Sequence, residues 1–305
     1  MNFLENRKRR NFSLLELMLV ITILGIITAI ALPQFDVSEQ EAKEKLSEHN
    51  AAAIERTLRQ FQNIHGVYPS GYHTGLADDG SVTVSGLSLQ VAAAMSADPT
   101  AQGAVVKDWA NGGYKCTNPV QTTLDAGLAK ALKENGIHHL MHNGYGTGKN
   151  LTSSFSQSVA DGLPVWLLKG NGSGVGVDLK RGASIDNAGT ITPGTEVVTI
   201  NGRALSTWNA YPGEAVALVF MSPEVQWGGN LACYYDKNIN GPGTYLGKCK
   251  IGMETAPKDP SAGPDSKFPY YIAVFYLSST QVGSDQGYSA KLLGVLDQNL
   301  KPVLD

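Results

Sequence analysis

Leu14-Leu-Glu-Leu-Met-Leu-Val-Ile-Thr-Ile-Leu-Gly-Ile-Ile-Thr-Ala-Ile-Ala-Leu32 is an almost unbroken apolar run with a single charge, Glu16. At about 1.5 Å per residue a helix of this length just crosses roughly 30 Å of hydrocarbon. Arg7, Lys8, Arg9 and Arg10 precede it directly. The positive-inside tendency therefore keeps the first eleven residues cytoplasmic and sends everything after Pro33 outward. A cleaved secretory signal fits less well, because its apolar core is usually about 7 to 15 residues and gains nothing from a carboxylate. A charge at membrane depth costs several kcal/mol on most scales, so Glu16 needs a functional partner.

Working outward, the polar stretch from Glu39 to Phe61 places Ala42, Leu46, Ala53, Leu58 and Phe61 near one face. Spacing by three and four predicts an amphipathic helix continuing the apolar one into water. Residues 12 to 64 would form a rod of about 80 Å at about 1.5 Å rise per residue. Gly66 is placed to stop it, with Pro69 shortly after.

The segment Asn11-Phe12-Ser13-Leu14-Leu15-Glu16-Leu17-Met18-Leu19-Val20-Ile21 resembles the signal of type IV prepilins and type II secretion pseudopilins: Gly, then Phe-Thr-Leu-Ile-Glu, then an apolar helix. Gly25 and Pro33 fall where that family places a helix glycine and a kinking proline. Gln60-Phe-Gln-Asn-Ile-His-Gly-Val-Tyr-Pro-Ser70 is similar to the segment where the family's helix ends. The resemblance covers residues 7 to 70. It implies that a prepilin peptidase cuts after Asn11 and methylates the new amino terminus at Phe12. It further implies that Glu16 pairs with the terminal amine of a neighbouring subunit in a filament core. Asn11 departs from the family, which has Gly before the cut. Either the cognate peptidase accepts Asn, or processing is slow, or the chain stays an uncleaved single-pass anchor.

The remainder is turn-rich, with 34 Gly and 14 Pro among 305 residues, which predicts many short elements and a mostly antiparallel β head. Ser88 to Ala97 and Thr123 to Glu134 read as short helices. Strands are expected at Pro164–Leu168, Glu196–Ile200 before an Asn201-Gly202 turn, Ala215–Met221, Leu231–Tyr235 and Tyr270–Leu277. Residues 75 to 160 are richer in helix signals. The fold class is thus α+β, with a long N-terminal helix packed on the head. The divisions are a leader at 1–11, a membrane or filament-core helix at 12–33, its amphipathic continuation at 34–66 and the head at 67–305.

Removing the local charge of +3 at the N terminus from the net −3 leaves −6 elsewhere. No basic cluster recurs after Arg10, so nucleic acid is not an expected partner. Cys233 and Cys249 flank a Gly- and Asn-rich stretch and read as a disulfide-closed loop, which an oxidising compartment permits and which would stabilise by roughly 3 kcal/mol. Cys116 is left over, and its pairing with either of the others stays open.

Other constellations carry weaker signals. His138, His139 and His142 include an i, i+4 pair, but no general base lies between them, and flanking Gly136 and Gly144 favour a solvated loop or short turn. Gly144-Tyr-Gly-Thr-Gly-Lys-Asn150 lacks the first glycine and the Ser/Thr of a phosphate loop and reads as a turn. Asp236, Asn238 and Asn240, followed by Gly241, match the first half of a calcium loop, yet Gly247 stands where the bidentate Glu belongs. Some major pseudopilins hold calcium in a C-terminal loop, so calcium is the one cofactor weighed here. Ser, His and Asp occur outside any nucleophile-elbow context, and no enzyme is expected.

The leading expectation is a filament subunit of a type IV pilus or type II secretion pseudopilus. It would be processed by a prepilin peptidase, held in inner-membrane lipid with its head in the periplasm, and passed to an assembly platform for self-assembly into a helical filament, at the cell surface in the case of a pilus. A minor or tip pilin with an adhesive or ligand-binding head is the second. A membrane-anchored periplasmic enzyme is the third.

Overall fold

The computed structural model describes residues 14–77, 84–97, 104–109, 112–120, 122–143, 154–221, 256–262, 266, 268–279, 281–282 and 285–302. The chain separates into two compact units, Met1–Lys45 and Leu46–Asp305. One helix, α1, runs Leu14–His65.

In the first unit, α1 carries Leu17, Met18, Val20 and Ile21 with 56%, 62%, 48% and 61% of their surface exposed. The Thr22 hydroxyl donates to the Met18 carbonyl at 2.7 Å, so this polar group is satisfied inside the helix and needs no water. Among the described residues no helix is long and apolar enough to cross a membrane. Within Leu14–Leu32 only Leu17, Met18, Val20, Ile21 and Thr22 are described with their side chains.

In the second unit the rest of α1 is amphipathic, but the stripe differs from the expected one. Ser47, Ala51, Ile54, Leu58 and Phe61 are buried, whereas Leu46 is half exposed. Spacings of four, three, four and three keep these residues on one face. Ser47 joins them because its hydroxyl donates to the buried Asp259 carboxylate at 2.6 Å. Gly66, at φ 74°, ends the helix, and its N–H returns to the Gln62 carbonyl at 2.7 Å, a left-handed cap that suits glycine.

The strands follow in chain order. β1 (Tyr72–Ala77) and β2 (Val84–Leu87) precede α2 (Leu89–Met95); β3 (Val105–Lys107), β4 (Tyr114–Cys116) and β5 (Thr122–Thr123) precede α3 (Ala126–Glu134). β6 (His139–Asn143), β7 (Ser154–Ser158) and β8 (Pro164–Leu168) come next. Short hairpin strands then occupy β9 (Lys180–Arg181), β10 (Ser184–Ile185), β11 (Ile191–Thr192), β12 (Glu196–Val197), β13 (Thr199–Ile200) and β14 (Arg203–Ala204). The long strands β15 (Glu214–Phe220), β16 (Ile272–Ser278) and β19 (Ser289–Leu296) complete the sheet, with β17 (Gln281–Val282) and β18 (Asp285–Gln286) between the last two.

The main sheet has the order β19-β16-β15-β1-β6-β7, and β8 and β5 branch from β15. All its pairs are antiparallel except β1 with β6, whose parallel pairing is reached through the crossover containing α2 and α3. A separate three-stranded sheet, β2-β4-β3, lies in that crossover. Side chains of the central strands alternate with period two. Ala215, Ala217 and Val219 of β15, with Ala273 and Phe275 of β16, join Ile54 and Leu58 of α1 and Leu128 and Leu132 of α3 in one core. Val216, Leu218 and Phe220 turn the other way, to Trp166, Leu87, Val91 and Ile200. The sheet is therefore covered on both faces, which explains why β15 is apolar along nearly its whole length rather than alternating.

The expected helices appear, shorter than drawn: Ser88 caps α2, its hydroxyl accepting from the Val91 N–H at 3.3 Å, and Asp125 caps α3 through the Leu128 N–H at 2.8 Å. α3 ends at Gly136, φ 93°, where a Cβ would meet Val67 at 2.6 Å. The Asn201-Gly202 turn has φ 51° and 69°, the paired left-handed geometry of a tight hairpin. β1, β6 and β19 were not anticipated. Among the described residues both α-helices of the head, α2 and α3, lie in region 75–160, with short strands of mixed polarity, which give no periodic signal, among them. Leu231–Tyr235 lies outside the described residues.

Candidate assembly surface

Glu16 is the third residue of α1. Asn11 and Phe12 lie outside the described residues, as does the side chain of Glu16. The exposed set Leu17, Met18, Val20 and Ile21 follows within two turns and spreads around the helix. Contiguous apolar exposure of this kind marks a surface that another molecule or a lipid covers.

Where α1 belongs to the second unit it is fastened by named bonds. Besides Ser47, Asp259 accepts from the Ser261 N–H at 2.8 Å and from the Gln298 N–H, so one buried carboxylate joins α1 to the C-terminal turn. The Arg59 guanidinium bonds Glu55 at 2.6 Å and donates to the Leu293 carbonyl at 3.2 Å. The Tyr68 hydroxyl donates to the Gln62 side chain at 2.8 Å and accepts from the Leu292 N–H at 3.0 Å. Its ring packs edge-on against Phe275 at 5.1 Å. Burial pushes the Tyr68 phenol above its ordinary pKa, so it serves as a neutral hydrogen-bonding post. Beside the same turn, burial, with the Asp259 charge adding to it, pushes the Asp297 carboxyl up to about 7, although it accepts the Asn299 and Lys301 N–H groups.

Several sequence candidates do not come together. Cys233, Cys249, Asp236, Asn238 and Asn240 lie outside the described residues, as does Gly144–Asn150. Cys116 is buried and makes no disulfide among the described residues; burial pushes its thiol up to about 11, which leaves it unreactive at neutral pH. The expected histidine loop is in fact strand β6. On a strand, positions i and i+4 stand roughly 13 Å apart by about 3.3 Å per residue, so His138 and His142 cannot share a metal. His142 is fully buried against Thr74, with Oγ1 and Nδ1 3.0 Å apart. Among the described residues no group of three or more His, Cys, Asp or Glu could hold a metal ion. Ser47, Asp259 and Tyr68 were not singled out from sequence as anchors. Only Tyr68-Pro69 had any signal there, as part of the helix-end segment.

Residues 6–32 match the family described as the prokaryotic N-terminal methylation motif. The chain carries a prepilin-type N terminus. It is 31% identical over 85 residues to the prepilin peptidase-dependent protein A of Clostridium perfringens, covering 28% of this chain and 61% of that protein. It is 31% identical over 67 residues to the type II secretion system core protein G of Pseudomonas aeruginosa, covering 22% of this chain and 47% of that one. The Vibrio cholerae core protein G is also 31% identical, over 64 residues, 21% of this chain and 44% of that one. The chain thus spans between about two fifths and three fifths of the length of these relatives. No solved structure matches.

Proposed function

We propose that this chain is a filament subunit of a type II secretion pseudopilus or type IV pilus. A prepilin peptidase would cut after Asn11 and methylate Phe12. The apolar part of α1 would hold the subunit in inner-membrane lipid until an assembly platform moves it into the filament. The observation that carries this reading is the division of labour along one helix. Its second part is buried by the chain's own sheet, whereas Leu17, Met18, Val20 and Ile21, inside the matched motif, stay exposed. An apolar surface of this kind needs lipid first and neighbouring copies of the same helix afterwards. Glu16, costly in both settings when alone, is matched by the amine that cleavage creates at Phe12 in a neighbour. This reading makes the chain a structural protein rather than an enzyme.

Co-expression with a prepilin peptidase, an assembly platform and its ATPase tests it. Sheared filaments whose repeating unit is this chain, beginning at methylated Phe12, are the expected result. Filaments containing the chain only at one end would move it to the tip class, and a membrane fraction with no filaments at all would overturn the reading.

A further inference from the structure

Beside the edge strand β19, hairpin β13–β14 and Trp208 form a pocket of about 290 Å³ lined by Ile200, Asn201, Arg203, Trp208 and Leu293. The tight Asn201-Gly202 turn that closes the hairpin sets Asn201 at its rim. Trp208 is held in place by Tyr276, with ring centroids 5.4 Å apart. Two cations lie near that indole: the Arg203 guanidinium, itself part of the lining, 5.8 Å from its centroid, and the Lys291 ammonium, just outside the lining, at 5.7 Å. Neither pairs with a carboxylate among the described residues. Glu55 is paired with Arg59 at 2.6 Å. The result is a recess lined by two aliphatic side chains, an indole, one amide and the Arg203 guanidinium, with the Lys291 ammonium beside it.

We propose that this pocket binds an anionic sugar ring of the hexuronate class. The polarised C–H face of the ring would lie on the Trp208 indole and against Ile200 and Leu293, its carboxylate would take the Arg203 fork with Lys291 beside it, and Asn201 would meet a hydroxyl. Each part of the lining selects one part of that ligand. A guanidinium pairs with a carboxylate through two parallel hydrogen bonds. A bare carboxylate would leave the indole and the two aliphatic walls uncovered, and a neutral sugar would leave both cations without a counter-charge. The volume sits at the lower end of small-ligand pockets, about 300 Å³ and upward, which suits a single ring. The proposal does not depend on filament assembly.

Saturation-transfer NMR on the full-length protein tests it with three probes: glucuronate, glucose and acetate. Transfer to the ring protons of glucuronate is expected, and affinity should fall about tenfold in Arg203→Gln and several-fold in Lys291→Gln, the loss of a charged hydrogen bond. Both side chains are exposed, so neither change threatens the fold. Trp208→Leu should abolish the transfer. Glucose binding as well as glucuronate would overturn the role of the cations, acetate competing as strongly would overturn the role of the indole, and absence of any transfer would overturn the site.

Discussion

In the proposed reading, assembly turns on Glu16 and processing on Asn11. Glu16→Ala removes a carboxylate that is unfavourable in lipid but also removes the partner of a neighbour's amine, so membrane insertion should be unchanged or improved. Filament yield should fall about tenfold or more, the loss expected when one half of a buried pair is left alone. Quantifying sheared filaments against membrane-bound subunit checks this, and normal filaments would refute the pairing. At Asn11, a peptidase working beside an apolar helix must approach the backbone closely, which glycine permits because it has no Cβ. Asn11→Gly should therefore raise the mature fraction made by a generic prepilin peptidase, read by intact mass as a chain starting at methylated Phe12. A native chain already fully matured by an unrelated peptidase would show that Asn11 is no obstacle. Asp297 supplies a third test. Its pKa, lifted by burial from 3.8 to about 7, is above the unfolded value. Its contribution is therefore complete below about pH 4 and is lost as pH rises through about 7, up to about 4 kcal/mol. Asp297→Asn keeps an oxygen for the Asn299 and Lys301 N–H groups, so the variant should match the wild type near pH 4 and melt at a higher temperature at pH 8. Parallel melting curves across that range would remove Asp297 as the cause.

Among the elements, α1 changes environment along its length without changing secondary structure. In the second unit it is held by Ala51, Ile54, Leu58 and Phe61 in the core and by Ser47, Arg59 and Tyr68 at its margins. Leu58→Ala should cost about 2 to 5 kcal/mol, the usual range for a fully buried leucine, measured by denaturant unfolding. A smaller loss would mean that the core closes over the gap. Elements of this kind were read from sequence with uneven success. β8 falls at the expected Pro164–Leu168, and α2 and α3 fall inside the two expected helical segments, because compact apolar runs are local signals. β6 was read as a loop, since His139, His142 and Asn143 look like surface residues. Pairing with β1 and β7 makes them strand, and the Thr74 hydroxyl gives the buried His142 a hydrogen-bond partner.

At the scale of the molecule, export and oxidation belong together. If the head crosses the membrane, Cys233 and Cys249 enter an oxidising compartment, and non-reducing peptide mapping of exported protein should find them linked. Buried Cys116, with its thiol pushed up to about 11, should resist alkylation until the protein unfolds. Recovery of Cys233 and Cys249 as free thiols would reject the closed loop. What the amino-acid sequence determined alone was everything that depends on neighbours in the chain. The prepilin-type N terminus, the continuous helix and its stop at Gly66, the Asn201-Gly202 turn and the α+β class all follow from local spacing, charge and backbone freedom. Tertiary structure alone decided which face of α1 is buried and why Ser47 rather than Leu46 points inward, because the answer is a carboxylate more than two hundred residues away. It also decided the parallel pairing of β1 with β6 and the meeting of Arg203 and Lys291 at the Trp208 indole. These depend on contacts between distant segments, which no short-range periodicity encodes.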